Sequence, residues 1–172
     1  TRSAVTFLLN IGHRRIGFLS HTAERRVFQE RASGYALAMY AHGLPASFRT
    51  SPEHSTQCQQ EFAEHVVREG WTATVAVNDN LACGLLGCLA SMGVRVPQDV
   101  SVVGFDNWPQ EQLWPGMPLA TVDGNVEEAG RQAVQLLRRR IDGQDGPPVR
   151  ITVPPRLVMG SSVGPPSEGR GS

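Results

Sequence analysis

Surplus charge is the first thing this 172-residue sequence lacks: Lys and Arg together number 16, Asp and Glu also 16, and the formal charge is zero. That balance excludes an extended nucleic-acid or membrane-surface footprint on the chain itself. Long hydrophobic runs are missing as well, with no window near the roughly 18 uninterrupted apolar residues of a membrane span. The opening TRSAVTFLLNIGHRR has an apolar patch but no basic leader followed by a small-residue cleavage site, so it does not read as a signal peptide. No Met stands at position 1, from which we expect a chain that begins mid-protein. Cysteine is scarce: Cys58, Cys83 and Cys88 form no CxxC, and an odd number without that spacing fits a reducing, cytoplasmic compartment. His54, Cys58 and His65 could be drawn as metal ligands, but they lie in a polar helix start, and no metal or cofactor is expected.

Missing motifs narrow the chemistry. No GxGxxG or GxxxxGK[ST] occurs, so no glycine-lined backbone can approach a phosphate. No GxSxG occurs either, and Ser20 and His21, adjacent in an extended segment, point to opposite faces. Asp79, Asp106 and Asp123 could supply a carboxylate pair for glycoside hydrolysis, but nothing in the sequence fixes their separation. The chain is therefore read as a binding protein rather than an enzyme.

What is present is an alternation of short apolar runs and helical stripes. Strands are expected near 15–20, 47–50 (weak), 74–78, 100–105, 119–122, 149–153 and 156–160. Helices are expected over 27–42, from Ser55, over 79–92 and over 126–141, the last carrying Val126, Ala129, Ala133, Leu137 and Ile141 inward. Ser161 to Ser172, rich in Gly, Pro and Ser, is expected to be disordered. Strands alternating with helices of 12–16 residues predict βαβ units, hence an α/β, doubly wound parallel sheet covered on both faces. In such sheets ligands bind beyond the carboxyl ends of the strands. Ser20 and His21, Asn78 and Asp79, Asp106 and Asn107, and Asp123 stand there. Asp79 is expected to cap or open its helix. Asn78 and Asp106, at the ends of their strands, are expected to face the crevice. Arg31, on the helix after the first strand, adds a planar fork, and Arg25 and Arg26 lie near the crevice mouth. Asp, Asn and Arg together suit a sugar or nucleoside.

Four stretches, GHRRIGFLS (12–20), RASGYALAMYAHGL (31–44), VAVNDNLACGLLGCLASMGVRVPQDVSVVGFDN (75–107) and LATVDGNVEEAGRQAVQLL (119–137), together resemble the effector-binding core of the LacI/GalR family of bacterial transcription regulators. The resemblance implies a periplasmic-binding-protein-like fold of two lobes closing over an effector. It makes Arg31 the ligand-clamping arginine, Asn78 the strand-end asparagine and Asp106 the aspartate that grips hydroxyls or amines, with Arg25 and Val27 reaching in from the preceding loop. It places Leu81, Trp108 and Trp114 toward a dimer partner. It assigns 14–122 and 156–160 to the carboxyl-terminal lobe, and 1–12 and 125–153 to the amino-terminal lobe. The helix-turn-helix that would read operator DNA is expected outside this chain. Two departures stand out: Ser51 where an aromatic usually stacks on the ligand, and Asp123-Gly124 where a Gln often follows the strand. The expected function is a dimeric effector sensor of a transcription regulator. A periplasmic solute receptor for a sugar transporter is the alternative.

Overall fold

The computed structural model describes residues 1–21, 26–51, 56–109, 117–144 and 146–167. Among them run helix α1 (Arg2–Asn10), strand β1 (Ile16–His21), α2 (Arg26–Ala41), β2 (Ser47–Ser51), α3 (Thr56–Arg68), β3 (Ala73–Ala76), α4 (Asp79–Ser91), β4 (Ser101–Phe105), β5 (Ala120–Asp123), α5 (Val126–Ile141) and β6 (Arg156–Val158). The strands form one sheet in the order β2-β1-β3-β4-β5-β6. The first five are parallel and β6 returns antiparallel to β5, with Asp123 opposite Arg156. The chain moves outward from β1 to β2, then back across β1 to β3 and on to β4. Right-handed crossovers therefore place α2 on one face and α3 and α4 on the other. The reversal opens a crevice beyond the carboxyl ends of β1 and β3.

Burial follows from that double coverage. Every residue of β1, β3 and β5 is buried, as expected of continuous apolar strands between two helical layers. β2, at the edge, is half-exposed. Tyr35 joins α2 to the sheet: its ring stacks on Phe18 and meets Phe48 edge-on, and its hydroxyl donates to the Ile16 carbonyl (2.7 Å) and accepts from the Ser47 amide (2.8 Å). One phenol thus pins β1 to β2, and burial pushes its pKa up to about 12. Gly17 is required opposite Trp71, whose indole fills the space a Cβ would take.

One helix is added and three expectations are corrected. The opening apolar patch is a helix, α1, whose Ala4, Val5, Leu8 and Leu9 are buried against α2 and β3. Spacings of one, four and five put these residues on one helical face, which packs on α2 and the sheet. The segment 161–167 is ordered: Ser162 is buried, donates to the Val102 carbonyl (2.6 Å) and accepts from the Ala120 amide (2.8 Å). A low-complexity segment that lies along strand starts finds backbone partners composition cannot foresee; 168–172 lie outside the described residues. Helix α5 forms over the expected span but carries no buried residue, and Val126, Leu137 and Ile141 are at least 62% exposed. No strand forms over 149–153, because no neighbouring strand stands beside it to pair with. No described helix is long and apolar enough to cross a membrane.

Candidate functional site

The crevice is built around Arg31. It leaves α2 and lays its guanidinium flat on the Phe105 ring, 3.7 Å from the centroid, with Phe28 at 6.0 Å. Nη1 donates to the Val77 carbonyl beyond β3 (2.6 Å), and Nη2 donates to Asp106 Oδ1 beyond β4 (2.7 Å). The Arg31 and Asp106 side chains are 14% and 28% exposed, so the pair sits at the crevice floor and still reaches solvent. Arg31 Nε is buried without a hydrogen-bond partner. An aromatic face and a carboxylate together hold the planar cation in one orientation. Asp106 takes φ of +112°, beyond the left-handed basin and unfavourable for an L-residue, and Asn107 follows at +55°, a left-handed conformation that Asn tolerates.

The pair Asn78 and Asp79 reverses the expected roles. Asn78 is the helix cap: its backbone is extended and its Oδ1 accepts from the Leu81 amide (2.9 Å). It is partly exposed, next to the buried Val77 whose carbonyl receives Arg31. Asp79 opens the first turn but does not cap it. It is 0% exposed, and its carboxylate accepts from the Thr121 hydroxyl (2.6 Å) and the Trp108 amide (2.9 Å). Burial pushes its pKa above the usual carboxylate value, while the Thr121 and Trp108 hydrogen bonds oppose that shift. Asn and Asp are equally good caps by composition, and the partners that decide lie 29 and 42 residues away.

Beside Arg31 opens a pocket of about 920 Å³ between α1 and α2. Val27 and Glu30 line it from α2, Phe105 from β4, and Thr6, Phe7 and Asn10 from α1. Val27, expected in the preceding loop, lies in the first turn of α2 and lines this pocket; Arg25 lies outside the described residues. The α1 contributors were missed, although Ser3, Thr6, Phe7 and Asn10 keep the three-and-four spacing of a helix face opposite the apolar one. Of the expected dimer residues, Leu81 is 1% exposed inside this chain's own core and is not available as a contact. Its position in the first turn of α4 points it inward against the sheet. Trp108 is 57% exposed, and Trp114, like His54, lies outside the described residues. Asp123, standing where a Gln was expected, is committed to its neighbours. It accepts from the Asn125 amide (2.7 Å), from Asn107 Nδ2 (3.4 Å) and from Arg156 Nε (3.0 Å). The Asn125 amide first, with Arg156 assisting, holds its pKa below the usual range.

Comparison with known proteins agrees with this architecture. The model of the periplasmic binding protein-like domain matches residues 5–163. The HTH-type transcriptional repressor PurR of Vibrio atlanticus is 30% identical over 164 residues, which are 93% of this chain and 49% of that protein. The chain thus spans about half the length of the curated relatives it matches. Among solved structures, the Escherichia coli transcriptional repressor ascG superposes with a TM-score of 0.82 at 30% identity, over 94% of this chain and 60% of its own. A LacI family transcriptional regulator from Enterococcus faecium with bound ribose gives 0.79 at 25% identity, over 95% and 62%.

Proposed function

The chain belongs to the periplasmic binding protein-like domain family in the form found in LacI-type transcription regulators, and from that premise we propose that it senses a small polar effector, of sugar or nucleoside class, in the crevice floored by Arg31 and Asp106. The observation that carries this reading is the Arg31 guanidinium, clamped between Phe105, Asp106 and the Val77 carbonyl at a crevice floor that still reaches solvent. A planar cation held in one orientation beside a partly exposed carboxylate is suited to vicinal hydroxyls. The bound ribose of the Enterococcus faecium neighbour supports a pentose-containing ligand. Asn78, capped through Oδ1, retains its Nδ2 hydrogens for the same ligand.

The exposed apolar face of α5 and the unpaired 149–153 segment are read as elements of a second lobe that closes over the effector. Closure would bias two lobe angles and thereby operator binding by a DNA-reading domain outside this chain. Trp108 is assigned to a homodimer face. The protein acts in the cytoplasm, as a binding module without cofactor or catalysis. Isothermal titration of the natural full-length protein with pentoses, hexoses and nucleosides tests the reading: binding of one class, weakened about 10- to 100-fold by Arg31→Ala, is expected from the loss of a charged hydrogen-bond partner. Binding indifferent to Arg31→Ala would place the effector elsewhere.

A further inference from the structure

We propose that Asp79 is a positioning residue for the effector grip: its buried carboxylate locks the left-handed backbone at Asp106 and Asn107 and thereby aims Asp106 at Arg31. The proposal rests on the reading of Asp106 as an effector contact. Asp79 is fully enclosed, and the groups that donate to its carboxylate, the Thr121 hydroxyl and the Trp108 amide, are both neutral. Burying a carboxylate without a cation is costly. Helix capping does not account for it, since Asn78 already caps α4. Space is reserved for it as well: Gly104 lies against Asp79 Oδ1, and any Cβ there would collide with the carboxylate.

The carboxylate converges on the segment where two successive non-glycine residues take positive φ. Such a conformation persists only where several contacts enforce it. Three anchors do so in sequence. The Asp106 amide donates to the Val122 carbonyl (2.9 Å), the Asn107 amide to Thr121 Oγ1 (3.3 Å), and the Trp108 amide to Asp79 Oδ2 (2.9 Å). Thr121 is itself oriented by donating to Asp79 Oδ1. Two of the three anchors therefore run through Asp79, and together they flank the residue whose Oδ1 meets Arg31 at 2.7 Å. Without Asp79 the amides of Asn107 and Trp108 lose their fixed acceptors, the turn relaxes toward negative φ, and the Asp106 carboxylate swings off the guanidinium.

A ligand-free triple cycle tests this. Urea denaturation of Arg31→Gln, Asp106→Asn and the double variant should show non-additivity of about fivefold or more in the unfolding constant. In Asp79→Asn or Thr121→Val backgrounds the same pair should become additive within about twofold, and Thr121→Ser should restore the coupling. A merely structural role lowers stability equally across each cycle and leaves the coupling unchanged, which overturns the proposal, as does absence of coupling in the unsubstituted protein. Should both background variants fail to fold, hydrogen exchange on the unsubstituted protein decides. The Asn107 and Trp108 amides should exchange as slowly as those of β5, and free exchange overturns the inference. Titration with D-ribose and adenosine separates the two readings. Binding lost in Arg31→Ala but kept in Asp79→Asn overturns the positioning alone. Binding indifferent to Arg31→Ala, with the cycle behaving as expected, overturns the effector reading alone.

Discussion

The two ends of the sheet both carry buried polar clusters, and they differ in what is left over. At the amino ends of β1, β3 and β4, His13 is fully buried, with Nδ1 2.9 Å from Thr72 Oγ1 and Nε2 2.9 Å from the Gly164 carbonyl. A carbonyl can only accept, so Nε2 carries the hydrogen and the neutral ring accepts the Thr72 hydroxyl. Ser101 donates to that same carbonyl (3.0 Å) and accepts from the Gly164 amide (3.1 Å). Each His13 nitrogen and each Ser101 contact is spent inside the chain, and the cluster fastens 161–167 to the sheet. At the carboxyl ends, Arg31 and Asp106 keep solvent contact, one donor lacks a partner, and two successive residues take positive φ. Polarity at a strand end therefore does not mark a site. What sets the carboxyl end apart is an ion pair that still reaches solvent beside a positive-φ turn, the two features on which the proposed site rests.

Substitutions can break this contrast, and the largest effect should come from the closed end. His13→Ala leaves Thr72 and the Gly164 carbonyl without a partner and opens a cavity. A loss of roughly 2–4 kcal/mol in denaturant-measured stability is expected, with effector affinity held within about twofold. If affinity falls as far as in Arg31→Ala, the two ends are not independent. Arg31→Ala should do the opposite, costing about 1.5–3 kcal/mol in effector binding by calorimetry and less than that in stability. Asn78→Ala removes the α4 cap and should lower stability by about 1 kcal/mol, read as a shifted urea midpoint.

Acid should sharpen the comparison further. Burial holds the His13 pKa below its ordinary 6.5, against the Gly164 hydrogen bond that raises it. The unfolded chain then binds a proton first, so stability is full above 6.5 and declines as pH falls toward the folded value. Asp123 is also depressed, from 3.8, so its contribution is complete above 3.8 and lost only as pH drops through its lower folded value. Stability profiles of wild type, His13→Gln and Asp123→Asn should therefore diverge in two separate windows, the histidine's near neutrality and the aspartate's in strong acid. A single shared window would mean the two clusters titrate together.

Much of this was readable in advance where the signal is local. The α5 span matches its stripe, and β1, β3, β4 and β5 fall within two residues of their apolar runs. Arg31 and Asp106 were legible because a strand end and the first turns of the next helix converge geometrically in any doubly wound sheet. Helix α1 was overlooked since nine residues give barely two turns of pattern. The inward face expected of α5 failed for a different reason: amphipathicity states that one face seeks cover without stating which body supplies it.

The amino-acid sequence by itself determined the α/β class, the alternation of strands and helices from β1 to α5, and the gathering of an arginine and an aspartate at one rim, because hydrophobic period and chain reversal are properties of short segments. Only the tertiary structure decided that Asn78 caps while Asp79 is drawn inward, that Leu81 is core rather than interface, and that 161–167 is a strap rather than a loose end. Each of those choices turns on a hydrogen-bond or packing partner dozens of residues away. Local propensity is nearly the same for either outcome, so the distant partner tips the balance.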